Sequence, residues 1–484
     1  MNSLWLALYL PQLPLECASS TAAEHSAAQL VYEASASKQT VYRLNEKAAS
    51  TGIEPGMPLT AARSLCSDLL AIERDTRREQ SALYNLALWA LQFTSKVSLE
   101  PPDGLILEIG ASLTLFGGLA SLQQSILQEL DTIGYSAFFA IAPVAAAAWL
   151  LALNHRSKII IDTQQLRHEL LQLPLSLLTI PRDKKTALYR LGLRTIADCQ
   201  RLPRAGLAQR LGPDLLKTID QALGQRSEVR KFIDPPDHFK AQILLPEPVA
   251  QIQPLMFILQ RLLRQLCGYL RARDAATQGL RLGLIRPSLS VEWLQLTLLQ
   301  PSRDPQHLLK LWQEKLERHN LQSAVEGLEL QVRQLLPLQP QTDDLLVMRQ
   351  KSSLSFIQML ERLKSRLGES LVQQPVCTAD HRPERSGRLE LFPTPSTATD
   401  KHKATRPFWL LPEPQPLQQA SDGRPLLQGV LTLLSGPERI ESGWWDGYGQ
   451  RRDYYIAHNP QQQRLWIYRT LKQPQRWFLH GYFS

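Results

Sequence analysis

The apolar positions fall in short runs broken by polar turns, and their spacing changes along the chain. Residues 4–10, Leu-Trp-Leu-Ala-Leu-Tyr-Leu, form an unbroken apolar run closed by Pro11 and Pro14, the pattern of a buried central strand. The turn Gly52-Ile53-Glu54-Pro55-Gly56-Met57 feeds an amphipathic helix carrying Ala61, Ala62 and Leu65. A second apolar strand is predicted over 104–109, and a helix through Leu130 follows the break Leu115-Phe116-Gly117-Gly118. A third strand is predicted over 137–142 and a helix over 145–153. Strands alternating with helices predict an α/β or α+β sheet domain over residues 1–165.

Residues 166–232 lose the strand signal and read as short helices. Their corners are Leu191-Gly192-Leu193-Arg194-Thr195-Ile196 and Leu202-Pro203-Arg204-Ala205-Gly206-Leu207. A glycine between apolar residues, as at Gly192 and Gly206, permits close backbone approach and leaves amides free at the next helix start, near Thr195. That arrangement can hold a phosphate, and an ordinary helical corner has the same letters.

Alternation returns over 233–338 in the order βαββαβ: strand 241–245, helix 253–273, strands 279–285 and 294–299, helix 305–319, strand 327–335. This order suits a four-stranded sheet with two helices on one face. Arg261, Arg264, Arg271 and Arg273 on the first helix, with Arg281 and Arg286 on the adjoining strand, form either a phosphate-tracking face or a solvated helix side.

Beyond Pro337 the composition turns to Gln, Pro, Asp and Ser, with a helix predicted over 354–367 and a linker over 393–405. Residues 406–484 then carry Trp409, Trp444, Trp445, Trp466 and Trp477, half of the ten tryptophans. Such aromatics supply the burial that folds a module, so a β-rich unit is predicted there, with a hairpin from 453–458 to 463–469 across Asn459-Pro460. The same aromatics are alternatively anchors for a partner protein.

Composition narrows the class. At 484 residues the chain has room for three or four domains, and 44% hydrophobic against 20% charged residues makes it globular. The balance of 54 Lys and Arg against 45 Asp and Glu gives +9, which suits a polyanion partner. Cys17, Cys66, Cys199, Cys267 and Cys377 stand singly, without a CxxC pair, so neither a zinc site nor a disulfide framework is expected. The longest apolar stretch, 138–153, is short for a membrane span, and no basic segment precedes a cleavable apolar one; a cytoplasmic protein without a membrane role is expected.

Several blocks are more specific. They are Trp5-Leu6-Ala7 through Leu10-Pro11-Gln12-Leu13-Pro14-Leu15-Glu16; Pro102-Asp103-Gly104 with Leu115-Phe116-Gly117-Gly118; His381-Arg382-Pro383-Glu384-Arg385; residues 406–414; and 436–447, which contains Gly443-Trp444-Trp445-Asp446-Gly447. With these blocks in this order, essentially the whole chain resembles the Y-family translesion DNA polymerases, and within them the polymerase-like members of bacterial mutagenesis cassettes. The resemblance implies an α+β right hand: palm and fingers over 1–165, a helical thumb with helix-hairpin-helix elements over 166–232, a βαββαβ little finger over 233–338, a clamp-binding and linker region over 339–405, and a C-terminal extension over 406–484.

Nucleotidyl transfer needs two divalent ions held about 3.5 to 4 Å apart by converging carboxylates. By resemblance the first strand would supply two and an Asp-Glu pair opening a later strand the rest. Here Ala7 and Tyr9 fall at the first two positions, and Asp103 is followed by Gly104. Glu108 lies an odd number of residues from Asp103, on the opposite strand face, and Glu16 lies beyond two prolines. No catalysis, metal or other cofactor is therefore expected, and binding remains. The thumb and little finger would contact primer-template DNA through Gly192, Thr195, Gly206, Arg261, Arg264, Arg271, Arg281 and Arg286. A sliding clamp would take Gln341, Asp344, Leu345 and Leu346, favoured by position after the little finger, or alternatively Leu389, Leu391 and Phe392. The resemblance further implies an error-prone C-family polymerase and a RecA-like cassette protein as partners, with Trp444, Trp445, Tyr454, Tyr455, Trp466 and Trp477 as candidate anchors or as a self-contained core. An active, low-fidelity polymerase is the rival reading.

Overall fold

The run at residues 4–10 is apolar throughout because it lies between neighbours on every side. A computed structural model describes residues 3–18, 27–35, 38–287, 290–319, 321, 323–338, 349–392 and 406–483. In it β1 (Trp5–Tyr9) is the middle strand of a five-stranded sheet. The chain then supplies β2 (Gln29–Ser35), β3 (Lys38–Leu44), β4 (Leu70–Glu73), β5 (Val97–Glu100), β6 (Gly104–Glu108), β7 (Phe138–Ala142) and β8 (Lys158–Ile159). The order β5-β6-β1-β7-β8 forms the sheet of the expected palm, and β3-β2-β4 forms a small outlying sheet that the sequence pattern did not announce.

Antiparallel pairing sets Ala7 opposite Ile106 and Tyr9 opposite Gly104 on one side, and Tyr9 opposite Phe138 on the other. Period-two alternation then sorts the sheet into two buried faces. Leu6, Leu8, Leu105, Leu107 and Ile141 meet the helices Thr76–Ala90 and Leu119–Thr132. Ala7, Tyr9, Ile106, Ala140 and Ala142 meet the helix Ala145–Leu153 and the helical segment behind it. That segment holds helices Thr163–Gln172, Arg182–Arg190, Ile196–Gln200, Arg204–Leu211 and Pro213–Ala222, as the loss of strand pattern predicts.

The βαββαβ order is found. β9 (Phe239–Val249), β10 (Ala275–Ile285), β11 (Val291–Ser302) and β12 (Val325–Val332) form an antiparallel sheet in the order β11-β10-β12-β9, and β13 (Leu336–Pro337) pairs with β10. Helices Ile252–Ala272 and Pro305–Arg318 cover one face. The helix Arg349–Leu367 follows, and Glu361 on it accepts from the Leu299 amide at 2.7 Å and lies 2.6 Å from His307 Nε2, both carboxylate and imidazole being buried.

The chain divides into the units Met1–Arg366 and Leu367–Ser484. In the second, β14 (Gln373–Cys377) and β15 (Gly387–Leu391) form a hairpin, β17 (Gln418–Gln419) and β18 (Pro425–Leu426) a short pair, and a five-stranded antiparallel sheet runs β16-β22-β21-β20-β19. Its strands are β16 (Trp409–Pro416), β19 (Thr432–Ser442), β20 (Gln450–His458), β21 (Arg464–Thr470) and β22 (Trp477–Tyr482). β20 and β21 are the hairpin expected across Asn459-Pro460. The fold is thus α+β with a C-terminal extension.

Candidate functional site: palm centre and nucleic-acid surfaces

At the palm centre, Tyr9 and Gly104 sit side by side at the end of β1 and β6. The space above them is filled by rings. Tyr9 meets Trp149 edge-on at 5.8 Å and His155 at 5.4 Å, and His155 meets Phe138 at 4.8 Å. A Cβ built on Gly104 would lie 2.3 Å from Cη2 of Trp149, so the glycine is what admits that indole. Ala7 is fully buried under the same helix.

Asp103 precedes β6 and its carbonyl accepts from the Leu10 amide at 2.8 Å. Burial pushes its carboxyl up to about 6, against the pull of Arg43 and with the repulsion of Glu79. Arg43 is turned to the Pro11 carbonyl at 3.1 Å. Arg74 stacks 3.7 Å from the Tyr42 ring centroid and holds buried Glu79 through two bonds of 2.8 Å. Burial likewise raises Tyr9. Glu108 shares the face of Gly104 but stands at the far end of β6 opposite Trp5, where it accepts from the Gly110 amide at 3.2 Å. Glu16 is tied to Ser136, accepting from its amide at 2.9 Å and from its hydroxyl, and burial pushes it up to about 7. Among the described residues no group of three His, Cys, Asp or Glu side chains could hold a metal ion. The tyrosine and the glycine are legible in the sequence; the filling by Trp149 and His155 is not, because nothing local ties them to β1.

The thumb corner at Gly192 has the left-handed conformation expected of it, φ 76°. Its amides are not free, which corrects the expectation. Asp198 accepts from the amides of Arg194 at 3.0 Å and Thr195 at 2.9 Å and from the Thr195 hydroxyl at 3.0 Å, while the Thr195 hydroxyl caps Asp198 in return. The capping box consumes the donors a phosphate would use. Gly206 lies within the helix Arg204–Leu211, which starts without a side-chain cap, and a Cβ there would meet open space.

The arginines expected to track phosphate separate into distinct roles. Arg261 is fully buried and donates to the carbonyls of Ile133 at 2.8 Å and Glu16 at 3.1 Å. Arg286 is buried against Glu292 and the Ser323 carbonyl. Arg271 reaches Gln92 at 2.9 Å and Glu129 at 3.4 Å. For Arg261 the expectation fails because its side of the helix Ile252–Ala272 lies against the palm helices, and for Arg286, which follows β10, because Glu292 and the Ser323 carbonyl take its guanidinium; Arg271 stays exposed although paired. Arg264 on that helix is half-buried. Arg281 lies on the uncovered sheet face with its guanidinium 4.7 Å from the Trp293 ring centroid.

Apart from Arg281, the residues of that face are not among those expected from the sequence. Pairing places Gln295, Arg281, Gln331 and Lys240 in one row across the four strands, and Trp293, Gly283, Glu329 and Gln242 in the next. Lys240 pairs with Glu329 at 3.0 Å, and Arg333 is exposed beyond Gln331. The signal was present in the alternation Lys240-Ala241-Gln242-Ile243 and Leu294-Gln295-Leu296-Thr297-Leu298. Cations beside an aromatic ring on an open sheet are the chemistry of backbone contact with base stacking.

Gln341, Asp344, Leu345 and Leu346 lie outside the described residues. Leu389 and Leu391 are exposed on β15, and the Phe392 amide donates to the Val372 carbonyl at 3.2 Å. Of the C-terminal aromatics, Tyr454, Trp466 and Trp477 are buried in the sheet's own cores, and Tyr455 is partly buried against Trp477, which favours the structural alternative for these four. Trp444 and Trp445 are exposed, in mutual edge contact at 5.5 Å. Their loop is gripped by buried Arg382, which binds Asp380 at 2.7 Å and Asp446 at 2.8 Å. No helix among the described residues is long and apolar enough to cross a membrane.

Residues 17–152 match the impB/mucB/samB family. Protein ImuB of Caulobacter vibrioides, strain NA1000 / CB15N, is 28% identical over 462 residues, spanning 90% of this chain and 100% of that protein, and ImuB of strain ATCC 19089 matches equally. Solved structures similar to the chain include a Y-family DNA polymerase chimera of Dbh and Dpo4 (15% identity, TM-score 0.41, 68% of this chain and 98% of that one) and DinB from Sulfolobus solfataricus (15%, 0.40, 69% and 100%).

Proposed function

We propose that this chain, which is ImuB-like and related to the Y-family polymerases, is a non-catalytic adaptor in DNA-damage-induced translesion synthesis and mutagenesis. It binds primer-template DNA and the sliding clamp, and brings an error-prone C-family polymerase and a RecA-like cassette partner to the lesion. The observation that carries the reading is the packed palm centre. Two divalent ions need several ionised carboxylates around a hollow, and here Asp103, its carboxyl pushed up to about 6 by burial, stands beside Tyr9, whose ring meets Trp149, while Glu79 is taken by Arg74. Backbone contacts need only cations and free amides, so they persist without chemistry. The uncovered little-finger sheet, with Lys240, Arg281 and Arg333, supports DNA contact, and the uncapped helix start near Gly206 supports a second point of contact in the thumb.

For the clamp, exposure of extended Leu389 and Leu391 supports the second peptide as a candidate beside Gln341, Asp344, Leu345 and Leu346. Exposed Trp444 and Trp445, held by Arg382, are the aromatic anchors best placed for a protein partner.

Primer extension tests the reading. The purified chain, with any divalent metal, is expected to add no nucleotide, and addition by the chain that disappears in Asp103→Ala would establish the rival low-fidelity polymerase instead. In the same preparation, clamp pull-down is expected to fail in either Leu345→Ala plus Leu346→Ala or Leu389→Ala plus Leu391→Ala; retention in both removes the clamp from the proposal.

A further inference from the structure

We infer that the little finger is fixed to the palm, so that the two move as one body, and that Arg261 is the positioning residue that sets the angle between them. Three separate observations carry this. First, the connector from thumb to little finger is laid along the palm edge: the Ile233 amide donates to the Val97 carbonyl of β5 at 2.8 Å, Arg230 binds Glu100 at 2.8 Å, and Phe232 stacks on Trp5 at 6.4 Å. A connector so held has little freedom to act as a hinge.

Second, the helix Ile252–Ala272 packs on the helix Thr76–Ala90, and one continuous apolar cluster contains Leu86, Trp89 and Phe93 together with Leu259, Leu263 and Leu266. The approach is close because Gly268 has no side chain: a Cβ there would lie 2.7 Å from Cδ1 of Trp89. Interfaces with a shared dry core do not slide continuously.

Third, Arg261 crosses the junction. Its guanidinium is buried beside the Tyr135 ring, 5.1 Å from the centroid, and is satisfied by carbonyls that belong to the palm, those of Ile133 and Glu16. Gly134, in the left-handed region at φ 77°, admits it, since a Cβ there would stand 3.0 Å from Nε. Separating the two domains would strip a buried cation of its acceptors, which is strongly unfavourable unless water replaces all of them.

The consequence is that the uncovered little-finger sheet is held at a fixed distance from the palm before any ligand arrives. A chain with Cys66 and Cys377 changed to Ser, spin-labelled at Gln124→Cys on the palm helix and Lys310→Cys on the little finger, gives the direct measurement. One narrow distance distribution, unchanged by primer-template DNA, is expected; a broad distribution, or a shift on adding DNA, overturns the inference. The DNA-free measurement stands even if the chain binds no DNA, so failure here is distinguishable from failure of the adaptor reading. Arg261→Met is expected to broaden the distribution and to open residues 224–238 to protease. An unchanged narrow distribution in a folded Arg261→Met chain overturns the role of that residue. Gly268→Ala, which strikes the same junction through Trp89, provides the second variant should Arg261→Met not fold, and it too must broaden the distribution.

Discussion

The palm sheet and the little-finger sheet are built from similar letters and are used in opposite ways. β1 reads Trp-Leu-Ala-Leu-Tyr and is covered on both faces, the inner one by helices and the outer one by Trp149 and its helix. β10 and β11 alternate, with Leu280, Leu282 and Leu284 inward and Arg281 outward, so one face stays open. The difference shows where a functional surface survives. A sheet face that must carry ions has to remain a hollow, and filling it with rings turns it into core; a face that meets a polyanion needs only cations spaced along it.

The sharpest way to break the comparison is to reopen the palm. Gly104→Glu is expected to destabilise the unit Met1–Arg366 by more than about 3 kcal/mol, since the new side chain drives into Trp149 and adds a carboxylate to a packed site. Urea denaturation measures it. If Gly104→Glu is as stable as the parent, the hollow is not filled as described. Adding Trp149→Ala is expected to recover part of the loss, because the two changes act on one space and are not additive.

The little-finger face is tested by charge. Lys240→Glu, Arg281→Glu and Arg333→Glu together are expected to weaken binding to primer-template DNA by at least about tenfold and to flatten its dependence on salt, as fewer counterions are released. The same reversal at the buried pair Arg261 and Arg286 would unfold the chain and report nothing about DNA. Fluorescence anisotropy across a salt series separates a lost contact from a lost fold, and an unaltered salt slope would remove this face from the DNA surface.

Much of this was legible in the letters. The run at 4–10, the βαββαβ order and the hairpin across Asn459-Pro460 stand where local patterning put them, because each is decided by neighbours in sequence. The strands β2 and β3 were missed: their inner and outer positions alternate over only a few residues, and their core is the small cluster around Leu30, Val41 and Ile53. At the site, Ala7, Tyr9, Asp103 and Gly104 could be named from the chain, but Trp149 and His155 reach Tyr9 only through the fold. The arginines of the helix Ile252–Ala272 were read as a solvent face because the helix is amphipathic, and nothing in its own sequence reveals that a second domain covers its polar side at Arg261.

The smallest effect distinguishes a carboxylate kept for metal from one left in a packed site. Asp103 is raised from an ordinary aspartate to about 6, so its neutral form is favoured by the fold. Stability from this group is complete below the unfolded value, near pH 4, and is lost as pH rises through about 6. Asp103→Asn removes that dependence. It is expected to be stabilising at pH 8 by about 1 kcal/mol, a figure reduced for the partial exposure of the group, and by roughly half of that at pH 5, midway between the two values. Thermal unfolding of parent and variant at the two pH values measures it. With two magnesium ions bound, an aspartate that served them would be ionised and charge-compensated, so with magnesium present its replacement would gain nothing at pH 8. A gain there, roughly halved at pH 5, is what a half-buried carboxyl beside Tyr9, Tyr42 and Glu79 must give even with Arg43 and Arg74 pulling the other way.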